Sequence, residues 1–164
     1  NASTQEIFGV ELEMSFKISE QWYVRGSYGY IDAEYDEYFA DLNGDNIITD
    51  NSGLVPRNVP ENTFGLSTTY TADIGPGVLQ SSLSFRYRDA VEHAPDNDPI
   101  GSMDSITDLS GQISYLWGES YRLSIYGKNL TDKQELAQAT IHPLVTRGWY
   151  NPPRTIGAEF AISF

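Results

Sequence analysis

Seven stretches of this chain alternate apolar and polar residues with a period of two, and none of comparable length repeats at a helical period. Period two sends successive side chains to opposite faces of an extended strand. The expected class is therefore all-β. The stretches lie near 5–18, 22–34, 63–72, 78–88, 106–117, 121–130 and 154–164. In the first, Phe8, Val10, Leu12, Met14 and Phe16 oppose Gly9, Glu11, Glu13, Ser15 and Lys17. In the last, Ile156, Ala158, Phe160, Ile162 and Phe164 oppose Thr155, Gly157, Glu159, Ala161 and Ser163. The connections alternate as well. Ser19–Gln21, Asp73–Gly77 and Gly118–Ser120 are short turns; Tyr35–Asn62, Asp89–Ser105 and Thr131–Pro153 are long loops. Short and long in strict turn imply antiparallel up-and-down topology with two unlike ends.

Alternation alone suits a soluble β-sandwich, with one face on a core and one in water. The distribution of charge favours a membrane wall. Inside the strands, Glu11, Glu13, Arg25, Arg86, Arg88, Asp108, Arg122, Lys128 and Glu159 all fall on the polar face. The charges on the apolar face are Glu6, Asp32, Glu34, Asp89 and Arg154, each at the long-loop end of its strand. An Arg or Lys at the bilayer midplane costs roughly 2–4 kcal/mol and near nothing at the rim. A sandwich has no reason to sort charge by depth. Aromatics mark both ends of the apolar face. Phe16, Trp22, Tyr70, Trp117, Tyr121 and Phe164 lie toward the short turns, and Phe8, Tyr28, Tyr30, Phe64 and Tyr87 toward the long loops. Amphipathic rings favour the headgroup zone. The pattern predicts part of a transmembrane β-barrel whose polar face lines a wet lumen and whose long loops face outside.

Composition fits. The formal charge of −13 excludes a nucleic-acid partner, which needs a basic face. There is no Cys for a disulfide or thiolate metal site. Mean hydropathy is −0.39, and no apolar run approaches the ~18 residues of a membrane helix. Barrel strands keep hydropathy low by exposing only alternate residues to lipid. The start, Asn1-Ala2-Ser3-Thr4, reads as mid-protein sequence with no signal peptide, as in a mature protein or a piece of one.

Several motifs resemble the TonB-dependent receptors of Gram-negative outer membranes. Gly9-Val10-Glu11-Leu12-Glu13 resembles their glycine–valine–glutamate strand, and Tyr28-Gly29-Tyr30-Ile31-Asp32-Ala33 the strand after it. Val59-Pro60-Glu61-Asn62 resembles the entry to the next, and Asn129-Leu130-Thr131-Asp132-Lys133 the turn after the penultimate strand. Asn151-Pro152-Pro153-Arg154-Thr155-Ile156-Gly157 resembles the entry to the last strand. Phe160, Ile162 and Phe164 resemble the C-terminal signal read by barrel-assembly machinery. The resemblance spans residues 1–164 and implies about seven strands of a barrel of roughly 22. It also implies active uptake of a siderophore-like or other scarce nutrient. The implied partners are membrane lipid, the remaining strands, a plug domain, a small molecule such as a ferric siderophore and, through an N-terminal part absent here, the TonB complex. No TonB box or plug is present in the chain.

Among candidate sites, Asp41, Asn43 and Asp45 with the Ile47 carbonyl match the first four ligand positions of a calcium loop. Asn46 stands where Gly is usual and Ser52 where a bidentate Glu is usual, so a bound Ca²⁺ would be weak. The competing reading is a solvated acidic loop built on turn chemistry. On the lumen face, Arg25, Arg86, Arg88, Arg122 and Lys128 accompany Glu11, Glu13 and Glu159. Arg86, Arg88, Arg122 and Lys128 could guide an anionic ferric chelate, or pair with Glu11, Glu13, Asp108 and Glu159 or with a plug. His93 and His142 read as surface residues, and Trp149-Tyr150 as a small loop core. No catalytic constellation is visible, so the chain is not expected to be an enzyme. Two alternatives remain. One is a small complete barrel with an eighth strand inside Tyr35–Asn62; the other is a soluble calcium-dependent sandwich.

Overall fold

A computed structural model describes residues 3–142 and 145–163, with side chains outside 138–146. The wall consists of β1 (Ser3–Lys17), β2 (Trp22–Ala40), β4 (Asn62–Ile74), β5 (Gly77–Arg88), β8 (Ile106–Trp117), β9 (Tyr121–Lys128) and β12 (Thr155–Ile162). They pair in the order β1-β2-β4-β5-β8-β9-β12, each antiparallel to the next. Smaller strands occupy the loops: β3 (Thr49–Asp50), β6 (Val91–Glu92), β7 (Ser102–Met103), β10 (Leu136–His142) and β11 (Val145–Tyr150). The α-helix is absent among the described residues; one 3₁₀ turn covers Pro99–Gly101.

Register keeps the faces pure across every seam. Leu12 lies opposite Tyr28, Leu66 opposite Phe85, and Ile113 opposite Ile125. On the other face Ser15 lies opposite Arg25, Arg86 opposite Asp108, and Ser114 opposite Ser124. A one-residue slip in any strand would exchange its faces. The short turns set this register. At Ser19 the hydroxyl accepts from Gln21 N and Trp22 N at 3.2 and 3.1 Å. Gly75 and Gly118 take φ of +57° and +55°, which a tight reversal needs and Gly supplies without a Cβ clash.

The wall has no apolar core. Leu12, Leu83, Ile113 and Ile125 are 46–59% exposed, and no second sheet covers them among the described residues. That excludes the sandwich. Among the described residues β1 and β12 each pair with a single neighbour, so the sheet is open there and the small closed barrel is excluded too. The extra strand within Tyr35–Asn62 does exist, but β3 is two residues long and pairs only with the end of β2, at Phe39 and Ala40.

Most wall-strand boundaries lie within two residues of those expected, and the largest departure is in β2. The second strand runs to Ala40 rather than 34, because its outer half continues to pair with β1 as far as Ser3 opposite Tyr38. Nineteen residues at ~3.3 Å each extend roughly 60 Å, far beyond a hydrocarbon layer of about 30 Å. The last long loop contains the hairpin β10–β11, and the middle one the ladder β6–β7. The seventh strand is described over Thr155–Ile162, and Phe164 lies outside the described residues.

Candidate functional site

The indentations of the wall lie on its polar face. Three cavities indent the wall, and side chains from that face line most of each. The largest, about 760 Å³, lies at the long-loop end. Arg86, Arg88, Asp108, Lys128, Lys133 and Glu135 bring charge to it, while Asn129, Asn151 and Pro152 form its upper lip. A second holds Glu13, Arg25 and Arg86, and a third Lys128 and Glu159. Closed into a barrel, this face would be the lumen wall.

Its charges are partly neutralised from within. The Arg86 Nη2 donates to Asp108 Oδ2 at 2.8 Å, directly across the β5–β8 seam. Arg122 reaches Glu159 at 2.7 Å diagonally across the β9–β12 seam. The Arg25 guanidinium lies 5.2 Å from the Tyr23 ring centre and donates to its hydroxyl at 3.2 Å. Arg88 donates to the Asp89 carbonyl at 3.1 Å. Lys128 and Lys133 enter no ion pair among the described residues. Glu11 and Glu13 likewise stand on the wet face without an ion pair among those residues. Ser114 and Ser124 are buried and bond each other at 2.8 Å, a polar seam that closes without charge.

The site's lip is held by residues whose roles the sequence pattern did not display. Asn129, at φ +48°, ends β9 and donates Nδ2 to the carbonyls of both Lys133 and Pro152 at 2.9 Å. One amide thereby ties the exit of β9 to the entry of β12. Arg154 pairs with Asp132 at 3.1 Å in the same knot. Inside the wall, the Tyr126 ring lies over Gly157, where a Cβ would come within 2.5 Å of it. The glycine after Thr155-Ile156 is thus a seat for an aromatic ring.

At the outer rim, Asp89 Oδ2 accepts from the Asn62 backbone and side-chain amides at 2.9 and 2.7 Å. The Tyr87 hydroxyl donates to Asp89 Oδ1 at 2.6 Å, and the Tyr28 hydroxyl to Asn62 Oδ1 at 2.8 Å. The Tyr87 and Asn62 donors hold the Asp89 carboxyl below its ordinary range. Two of the expected rim aromatics, Tyr28 and Tyr87, are thus hydrogen-bonded to the entry of β4 and the exit of β5. At the other end Trp117 stacks between Tyr115 and Tyr121 at 5.6 Å, with Phe160 at 6.1 Å. Ile162 lies opposite Tyr121 in the same patch.

The acidic loop is closed by its own side chains. Asp41 Oδ1 accepts from Gly44 N at 2.7 Å and Oδ2 from Asn46 N at 2.8 Å. Asn43 Oδ1 accepts from Asp45 N, and Asp45 Oδ1 from Ile47 N. Asn46 adopts φ +67°, the conformation that Gly usually provides. Among the described residues no three His, Cys, Asp or Glu side chains gather at a metal-holding distance. His93 bonds the Asn58 side chain at 2.8 Å. The His142 side chain lies outside the described ones. Trp149 and Tyr150 do not form a loop core: they are 52% and 66% exposed on β11.

An open antiparallel strip, greasy on one face and charged on the indented other, defines a length of transmembrane barrel wall. The family model for the TonB-dependent receptor-like β-barrel matches residues 1–130, and the chain belongs to that family. Solved structures agree in fold. The ferric yersiniabactin uptake receptor FyuA of Yersinia pestis superposes with a TM-score of 0.79 at 20% identity, over 100% of this chain and 24% of its own. The siderophore receptor PiuA of Acinetobacter baumannii gives 0.77 at 22% identity, over 99% and 22%. The ferric-catecholate import receptor Fiu of E. coli K12 gives 0.71 at 18% identity, over 98% and 21%. The chain spans about a quarter of the length of these receptors. No curated protein matches it.

Proposed function

We propose that the chain forms a wall segment of an outer-membrane receptor that actively takes up a siderophore-like nutrient. The observation that carries this reading is a charged, cavity-bearing face backed by a lipid-ready apolar face, in a chain of the receptor family. The similar structures carry siderophore receptors by name, which points to a ferric chelate as cargo. A plug domain would fill the lumen and the TonB complex would drive release, both through parts of the protein beyond this wall. Of the four lumen cations expected to meet an anionic chelate, Arg86 and Arg122 are already paired. Arg88 and Lys128, joined by Lys133 at the mouth, are the ones left to do so.

The test is uptake of radiolabelled iron by cells carrying or lacking the whole protein, supplied with a panel of ferric siderophores. TonB-dependent accumulation of at least one is expected. Uptake that is identical with and without the protein for the full panel, in cells where it is shown to reach the outer membrane, would overturn siderophore transport.

A further inference from the structure

The buried apolar side chains among the described residues lie at or beyond the outer end of the wall. Ala40, Val91, Ala94 and Met103 are each at most 7% exposed, and Pro56 is fully buried. All five belong to the outer end of β2 or to the two loops that follow β2 and β5. The sequence separates these loops by an entire hairpin, yet they are bonded to each other at several points. The Asn97 side chain acts as a strand would: its Oδ1 accepts from Val55 N at 2.7 Å and its Nδ2 donates to Val55 O at 3.1 Å. Asn58 N donates to the Glu92 carbonyl at 2.8 Å, and the His93 ring bonds Asn58 Oδ1 at 2.8 Å. Asn97 and Asn58 hold φ of +53° and +59°, so each of these contacts is made from a fixed left-handed turn. The Asn62–Asp89 bonds then fasten the pair to the wall.

We infer that the loops after β2 and β5 constitute one rigid rim, assembled over the lumen mouth before any ligand arrives. A loop that orders only on binding loses conformational freedom at that moment, and affinity falls accordingly. A rim with its own small core and a bidentate clamp has already met that cost during folding. On the transport reading above, this side of the mouth is a fixed wall against which cargo docks, and entry does not wait on its movement. The rim's rigidity stands apart from which cargo is carried.

The experiment uses the whole receptor in lipid vesicles, without ligand. Nitroxide labels replace Ile48 and Ile100, both exposed and one on each loop. A single narrow distance distribution is expected by pulsed EPR. Hydrogen exchange of the Val55 and Asn58 amides is expected to be slowed on the order of 100-fold or more relative to an open loop. Asn97→Ala should broaden the distribution and speed Val55 exchange at least roughly tenfold. Asp104→Ala, in the same loop as Asn97 but exposed and outside the clamp, should change neither. A broad distribution in the unsubstituted rim, with Val55 exchanging at open-loop rates, would overturn the inference. So would a rim that Asn97→Ala leaves unchanged in both measurements.

Discussion

Replacing Leu83 by Arg is expected to cripple the wall, while replacing its neighbour Ser84 by Arg is expected to be tolerated. Leu83 stands midway along β5, between Thr68 and Gly111 on the apolar face, and is 46% exposed there. Ser84 lies one residue on, facing the cavities. At the bilayer midplane an Arg on the lipid face costs about 2–4 kcal/mol. At 1.4 kcal/mol per decade this lowers the folded-to-unfolded ratio roughly 30- to 700-fold. On the lumen side the same guanidinium stays hydrated and is expected to cost about 1 kcal/mol or less. The assay is denaturant unfolding of the whole receptor in lipid vesicles, with heat-modifiable gel mobility as a second measure of assembly. Equal losses for the two substitutions, or no loss for Leu83→Arg, would refute the facing of the strands.

Other expectations follow from single contacts. Asn129→Ala removes two bonds to loop carbonyls and should lower stability by about 1–2 kcal/mol, measurable by the same unfolding assay; Asn129→Asp should recover little, since a carboxylate cannot donate. Gly157→Val must displace the Tyr126 ring and should cost about 1–3 kcal/mol, whereas Gly157→Val combined with Tyr126→Ala should recover part of that loss. The Asp89 carboxyl is depressed by Tyr87 and Asn62, so its contribution is present in full above the ordinary carboxylate value of 3.8 and is lost as pH falls through its lowered value. The stability gap between the unsubstituted protein and Asp89→Asn should therefore be constant near neutrality and close below about pH 4; a gap that persists in acid would refute this. For the Asp41–Asp50 loop, calorimetric titration with Ca²⁺ should give a dissociation constant no tighter than roughly millimolar, because no bidentate Glu occupies the twelfth position.

What the sequence displayed was whatever the membrane enforces. Lipid on one face and water on the other make every residue of a wall strand declare its side, so the facing of Leu12, Arg86, Ile125 and Glu159 could be read before any coordinates. Past the rim that pressure stops. The stretch Tyr35 to Tyr38 carries charge at successive positions, Asp36 and Glu37, as a strand in water can, so its sequence reads as loop although it pairs with β1 as far as Ser3. The hairpin β10–β11 lies beyond the rim as well, and its sequence shows no sustained alternation. The site was legible in part. Arg86 and Asp108 could be expected to meet, since both lie on the polar face, but Asn97 meets Val55 across 42 residues of sequence with no periodic signal to connect them. Gly157 stands in the sequence as a family-like glycine, and its physical reason, the seat for Tyr126, is visible only with the two strands in register.

The facing of the strands is tested most directly by single nitroxides placed along β5 and β8 of the whole receptor in a bilayer, reading their accessibility to oxygen and to a water-soluble nickel complex. Labels at Leu83, Phe85, Leu109 and Ile113 should favour oxygen, and labels at Ser82, Ser84, Ser110 and Gln112 should favour nickel, alternating residue by residue. Uniform accessibility along both strands, or the opposite phase, would contradict a wall that meets hydrocarbon on its apolar face.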